Sequence, residues 1–331
     1  MIQTILKLSI VGGLLAIILQ CLKPLTRKVF SVKWQYYIWL VVLVSMIIPI
    51  SIKLSLNSSK VLITPPTQTV QPDTLKTTEE AANQLQPETV IHNIPIENIR
   101  NEATPINSIE ISDAAALFWY LGATVFLLFQ ITRYLIFWCK IKNISYGVDC
   151  PELEECKQSM KIKRKIELRI TEGITTPLLV GIFCPIILMP NINMPSESLT
   201  YVLQHELTHY KRKDLVYKWF AMLVNAIHWF NPLVYLVVKN INEDCEISCD
   251  CAVTKGMESE SKGEYMKTIL SLLAYSTARG QALTTAMASD KNKIIRRFKM
   301  IQKVNKTRKI ITMLSVMLTA VILVISVYTA V

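Results

Sequence analysis

Charge is scarce in this chain. Asp, Glu, Lys and Arg make up 18% of its 331 residues against 51% hydrophobic ones, and the mean hydropathy is +0.34. Soluble globules carry more charge than this, so an ordinary soluble enzyme is excluded. No small-residue cleavage site follows the first apolar run, which argues against a removed signal peptide. No cysteine lies between Asn57 and Ser112, which argues against a disulfide framework. The eight cysteines contain no pair spaced by two residues, which excludes a zinc ribbon. Basic residues form no stripe with interleaved aromatics, so direct nucleic-acid binding is not expected. Histidine is rarest of all, with four in the whole chain.

What is abundant is apolar sequence in blocks of about 20, the length a helix needs to cross a bilayer. Four blocks qualify: about 4–22, 34–52, 114–139 and 310–331. Cys21 to Lys28, with Lys23, Arg27 and Lys28, reads as a positive stop to the first. Trp34, Tyr36, Tyr37 and Trp39 sit where an interfacial aromatic belt would open the second. Lys and Arg mark the cytoplasmic side. The 23–33 linker has four cations and no acid, the 57–112 stretch three cations against seven acids, and the 140–309 region 26 against 17. The expected topology is multi-pass in the cell membrane, both termini outside and 140–309 in the cytoplasm. The 57–113 stretch, rich in Thr, Pro, Asn, Gln and Glu, is read as a disordered external linker, with His92 as a solvated side chain.

Within 140–309, residues 149–165 have a charged helical pattern and Ile166 to Ile170 alternate as a half-buried strand. Thr176–Phe183 and Pro185–Pro190 are β-rich runs bounded by Pro and Gly, forming a small hairpin or sheet edge. Ser196 is expected to cap a helix running from Glu197 to about Phe220. That helix carries His205-Glu206-Leu207-Thr208-His209. Two imidazoles four residues apart project from one helical face and can share a Zn²⁺ ion, while the adjacent Glu206 can take a proton from the attacking water and pass it to the leaving amine.

A catalytic zinc needs a third protein ligand. Glu243, Asp244, Glu246 and Asp250 cluster downstream, and on a helix Glu246 and Asp250 share a face. Glu246 can then bind the metal while Asp250 orients an imidazole, or the acids form a solvated face. Cys245, Cys249 and Cys251 are read as buried or inert thiols. The apolar Trp219–Ile241 segment between these motifs looks like a fifth span. A single crossing would put Glu246 on the opposite side from His205. Asn231-Pro232 breaks it, so two short apolar helices with no net crossing are expected. His228 is read as a packed core histidine.

The run from His205 to Asp214, His228-Trp229-Phe230-Asn231-Pro232 and Glu246-Ile247-Ser248-Cys249-Asp250 together resemble the BlaR/MecR-type antirepressor metallopeptidases, over nearly the whole chain. The resemblance implies a mainly α membrane protein with four transmembrane helices and a cytoplasmic α+β gluzincin domain containing a small β-sheet. It implies His205, His209 and Glu246 on one zinc ion, Glu206 as general base and Asp250 behind the ligands. It also implies a cytoplasmic protein substrate such as a winged-helix repressor. Well-studied members carry an external penicillin-binding domain after the fourth span. None is read here, so the expectation is a relative with another stimulus or a separate sensor partner. Arg296-Arg297 is the candidate for self-cleavage, against the plainer reading of a basic cluster anchoring the fourth span at anionic lipid. Membrane protein quality control and a non-catalytic receptor with a structural zinc are the alternative functions.

Overall fold

The computed structural model describes residues 2–48, 111–279 and 284–303, and the isolated positions 315, 317 and 319. The external linker and most of the expected fourth span lie outside the described residues. The chain opens with α1 (Ile2–Val29) and α2 (Val32–Ile47), joined at Phe30-Ser31. Ser31 caps α2 by accepting from the Trp34 amide. Helix α1 runs on through Pro24, past the end of the expected 4–22 span. Lys23 explains the continuation: it is buried, pairs with Asp244 at 3.1 Å and donates to Asn240.

The third helix, α3 (Ile111–Ile144), is longer than the expected 114–139 span. Leu117, Phe118, Leu121, Val125 and Phe129 are all exposed on it. By length and composition, α1 and the Asp113–Ile144 part of α3 can cross a membrane, and α2 is a shorter apolar helix.

Next come β1 (Ser145–Gly147), α4 (Pro151–Ser159), β2 (Glu167–Thr171), β3 (Leu178–Val180) and β4 (Ile186–Pro190). The strands form one sheet in the order β1-β2-β4-β3. Strands β2 and β4 are parallel, with Leu168 opposite Ile187. The expected hairpin is β3–β4, antiparallel, with Leu179 opposite Ile187. Its turn needs Gly181, whose φ is +82° and where a Cβ would strike the Cys184 carbonyl.

The sheet and α4 bury one side of α5 (Ser196–Arg212), through Leu153, Leu168, Leu179, Ile187, Val202, Leu203 and Leu207. That contact fixes which face of α5 is left for chemistry. Pro195, rather than Ser196, occupies the cap position, because the Ser196 hydroxyl is engaged with Glu152 at 2.7 Å. The helix also ends earlier than expected. Lys213 adopts a left-handed conformation (φ 58°, ψ 34°), and α6 (Asp214–Ile227) sets off from it.

The break at Asn231-Pro232 is as expected. Pro232 opens α7 (Pro232–Val253), and the Asn231 side chain accepts from the Leu233 amide. The Asn231 amide nitrogen also donates to Ser9 of α1, at 2.8 Å to the hydroxyl. Asn231→Ala should therefore lower the thermal stability of the purified protein by about 1–2 kcal/mol, the usual cost of a lost cap, with Asn231→Asp restoring only the cap. The α1–α2 hairpin packs on α6 and α7 through Leu15, Leu19, Trp39, Val42, Leu43, Val224, Val234 and Ile241. Helices α8 (Ser259–Ala278) and α9 (Thr284–Gln302) complete the described chain.

Candidate metal centre

Helices α5 and α7 cross so that the motif on one faces the acids on the other. The His205 and His209 rings present Nε2 to each other at 3.1 Å. One Glu246 oxygen lies 3.5 Å from His205 Nε2 and the other 3.7 Å from His209 Nε2. Ligands held at about 2.0–2.1 Å in a tetrahedron are separated by roughly 3.4 Å, so these spacings suit one shared metal.

The outer ring nitrogens decide which lone pairs are free. His209 Nδ1–H donates to Asp214 at 2.7 Å. His205 Nδ1–H donates to the Tyr265 hydroxyl at 2.8 Å, and Tyr265 donates in turn to Asp250 at 2.8 Å. With Nδ1 protonated on both rings, both Nε2 atoms are acceptors. Two acceptors 3.1 Å apart repel unless a cation lies between them. The donor set therefore fits a zinc ion, whose coordinated imidazoles characteristically donate their other N–H to a carboxylate or similar partner.

Two thiols compete for this role. Ligand atoms of His205, His209 and Cys249 lie within 4.8 Å of one another, as do those of His209, Cys245 and Glu246. Cys245 Sγ faces His209 Nδ1 at 3.8 Å, the nitrogen already committed to Asp214. Cys249 Sγ donates to the His205 carbonyl at 3.4 Å, a contact between α7 and the α5 backbone. Burial pushes the Cys249 thiol up, but the two imidazoles outweigh it and hold it below its ordinary value; the thiol is buried, as expected. Glu246 is better placed: its side chain is 37% exposed and lines the open cleft, whereas Cys249 is fully buried. Burial would raise the Glu246 carboxyl, yet His205, His209 and Lys218 hold it well below the usual carboxylate range.

A cleft of about 170 Å³ opens over these groups, lined by His205, Glu206, Glu246, Tyr265 and Arg297 and floored by apolar residues such as Val202, Ile269 and Leu272. Asp250 is fully buried and bidentate with Arg297, at 2.6 and 2.7 Å. Burial raises its carboxyl, but Arg297 more than compensates and leaves it below the ordinary value. Arg296 pairs with Asp244 at 2.7 Å and Glu243 at 3.4 Å. The proposed self-cleavage pair thus lies inside α9 with both guanidinium groups in ion pairs, and Arg297 in the wall of the cleft.

Sequence reasoning missed Asp214, Tyr265 and Arg297 as supports of the site. Asp214 stands five residues after His209 in the quoted motif, a spacing that the αL turn at Lys213 turns into a contact. Asp214 is itself held by Tyr36 of α2, 3.0 Å away, so Tyr36 and Trp39 are buried polar anchors rather than an interfacial belt. Tyr36→Phe should cost about 1 kcal/mol for the lost bond and weaken zinc binding up to roughly 10-fold, measured by chelator competition. His228, as expected, is a core residue. It is fully buried and its Nε2–H donates to the Met46 carbonyl at 3.0 Å.

Residues 3–301 match the family model described as BlaR1 peptidase M56. The chain is 33% identical over 185 residues to the regulatory protein BlaR1 of Bacillus licheniformis, covering 54% of this chain and 31% of that protein. It is 26% identical over 284 residues to the methicillin resistance mecR1 protein of Staphylococcus aureus, covering 82% of this chain and 46% of the relative. The chain thus spans less than half the length of these curated relatives.

Proposed function

The chain belongs to the BlaR1 peptidase M56 family, and on that premise we propose that it is a multi-pass membrane zinc endopeptidase that cuts a cytoplasmic protein in a signalling pathway. The observation that carries this reading is the convergence of His205, His209 and Glu246 beside Glu206, with His205, Glu206 and Glu246 lining one open cleft. His205, His209 and Glu246 would hold the ion, and Asp214, Tyr265 and Asp250 would keep both Nε2 atoms aimed at it. A zinc ion there supplies a Lewis acid that polarises the scissile carbonyl and lowers the pKa of water. Glu206 takes the proton from the attacking water and delivers it to the leaving amine.

An extended peptide suits the setting. Strand β3 is at the sheet edge, Thr176 and Pro177 just before it line the cleft, and an edge strand accepts a peptide by main-chain pairing. The exposed apolar surface of α3 suits lipid. The charge distribution puts the cleft on the cytoplasmic side with both termini outside, and 310–331 as a fourth span. The α6–α7 pair returns to the side it left, which a shared metal site requires. The relatives' names fit a regulatory role; the substrate class proposed is a winged-helix repressor, which the sequence resemblance implies, with a separate sensor protein as a further partner.

Comparing cytoplasmic protein fragments from cells carrying wild-type or Glu206→Ala protein tests this. Glu206-dependent cleavage of one repressor is the expected result. Many Glu206-dependent fragments would move the function to quality control, and unchanged signalling with no such fragment would leave a non-catalytic receptor.

A further inference from the structure

On another face of the molecule lies a larger cavity, of about 890 Å³, that the peptidase reading does not use. Its walls come from the α1–α2 junction, the end of α5, the end of α7 with the turn beyond it, the start of α8 and the end of α9. Among the described residues six cations line it, Lys33, Lys211, Arg212, Lys255, Lys262 and Lys303, and not one carboxylate does. Among the described residues only Arg212 of the six has an acid within 4.0 Å, Asp214 at 3.5 Å. Surface lysines ordinarily alternate with acids. Six cations around one concavity repel one another, and that arrangement is stable only where counter-ions or a ligand answer it.

Arg212 supplies an independent observation. Its guanidinium lies over the Tyr36 ring, 4.9 Å from the centroid, yet both terminal nitrogens are buried without a hydrogen-bond partner. A planar guanidinium pairs well with phosphate oxygens, two at a time, and an anion in the cavity would meet these buried nitrogens once the side chain turned off the ring. The size also fits, since ligand cavities run to about 300–1,000 Å³.

We propose that this cavity binds a phosphate-bearing anion, with the chemistry of an anionic phospholipid headgroup or a soluble phosphate. Its position favours the headgroup as the source. Ser31 to Tyr37, at the joint of two apolar helices, form one wall, and the charge pattern places that joint on the cytoplasmic face, where anionic lipid and cations meet. The site rests on cations and cavity alone, so it stands whether or not the chain is a peptidase.

The full-length protein in neutral detergent, studied by native mass spectrometry and by competition, tests the idea. The probes are phosphatidylglycerol, phosphatidylcholine, inorganic pyrophosphate and a poly-glutamate peptide. Wild-type protein should retain phosphatidylglycerol at least ten-fold more tightly than phosphatidylcholine. The double variant Lys255→Gln/Lys262→Gln, which touches no group of the metal centre, should lose at least ten-fold of that preference. Lys255→Arg/Lys262→Arg should keep it, which guards against a folding artefact. Pyrophosphate binding with the same dependence but no lipid preference would assign the site to a soluble phosphate. Retention of both probes by the Gln variant, or selective binding of poly-glutamate over either phosphate probe, would overturn the proposal.

Discussion

Glu206→Gln should retain its zinc and lose at least 10²–10⁴-fold in peptide-bond hydrolysis, the range that general acid–base groups contribute. Glu206 touches the reaction through the cleft and not through the metal. Its neighbours on α5, His205 and His209, keep both Nε2 atoms and both outer anchors in the variant. Metal content and thermal stability should therefore stay near wild type while turnover collapses. A variant that lost zinc in parallel with activity would make Glu206 a structural support of the site, and the roles assigned on α5 would have to be redrawn.

The second large effect is expected at Asp250. Its carboxylate is fully buried and receives two bonds from Arg297 and one from Tyr265. Asp250→Ala would leave the Arg297 guanidinium, with a side chain 20% exposed, facing no anion. Breaking one partner of such a pair costs about 3–5 kcal/mol. It also frees the Tyr265 hydroxyl that orients His205, so zinc affinity should fall roughly 10–100-fold. Adding Arg297→Met removes the stranded charge. The double variant should recover a good part of the stability and little of the metal affinity, which separates the two roles of Asp250. Denaturant or thermal melts of the four proteins in the cycle, with a zinc chelator titration on each, read both quantities.

The sequence carried the parts of this architecture that have a local period or a fixed spacing. His205 and His209 are four apart on a helix, and that alone puts them on one face. The Asn231-Pro232 break could be read because proline's missing donor acts where it stands. The β3–β4 hairpin could be read from its Gly and Pro boundaries. The contacts that orient the metal centre could not, because they join distant segments. Tyr265 meets His205 across 60 residues, and Tyr36 meets Asp214 across 178. The early end of α5 at Arg212 was hidden for another reason. Lys213 has no special claim to a left-handed conformation, and tertiary packing of α6 against α2 and α7 outweighs its preference. Lys23, in the run read as a positive stop, hid its role in the same way, because its carboxylate partner, Asp244, is 221 positions away.

Asp244 also shows how the helical hairpin and the centre are tied. Lys23 of α1, Trp39 of α2 and Arg296 of α9 all converge on it, two residues before Glu246. A change in how α1 and α2 pack would therefore bear on the helix that presents the third ligand.

The peptidase reading depends on His205, His209 and Glu246 sharing one zinc ion, and X-ray absorption at the zinc edge tests that most directly. Wild-type protein loaded with one equivalent of zinc should show only nitrogen and oxygen neighbours, at about 2.0–2.1 Å. A sulfur neighbour at about 2.3 Å, lost in Cys249→Ser and kept in Glu246→Gln, would contradict it and place the thiol where the carboxylate is assigned.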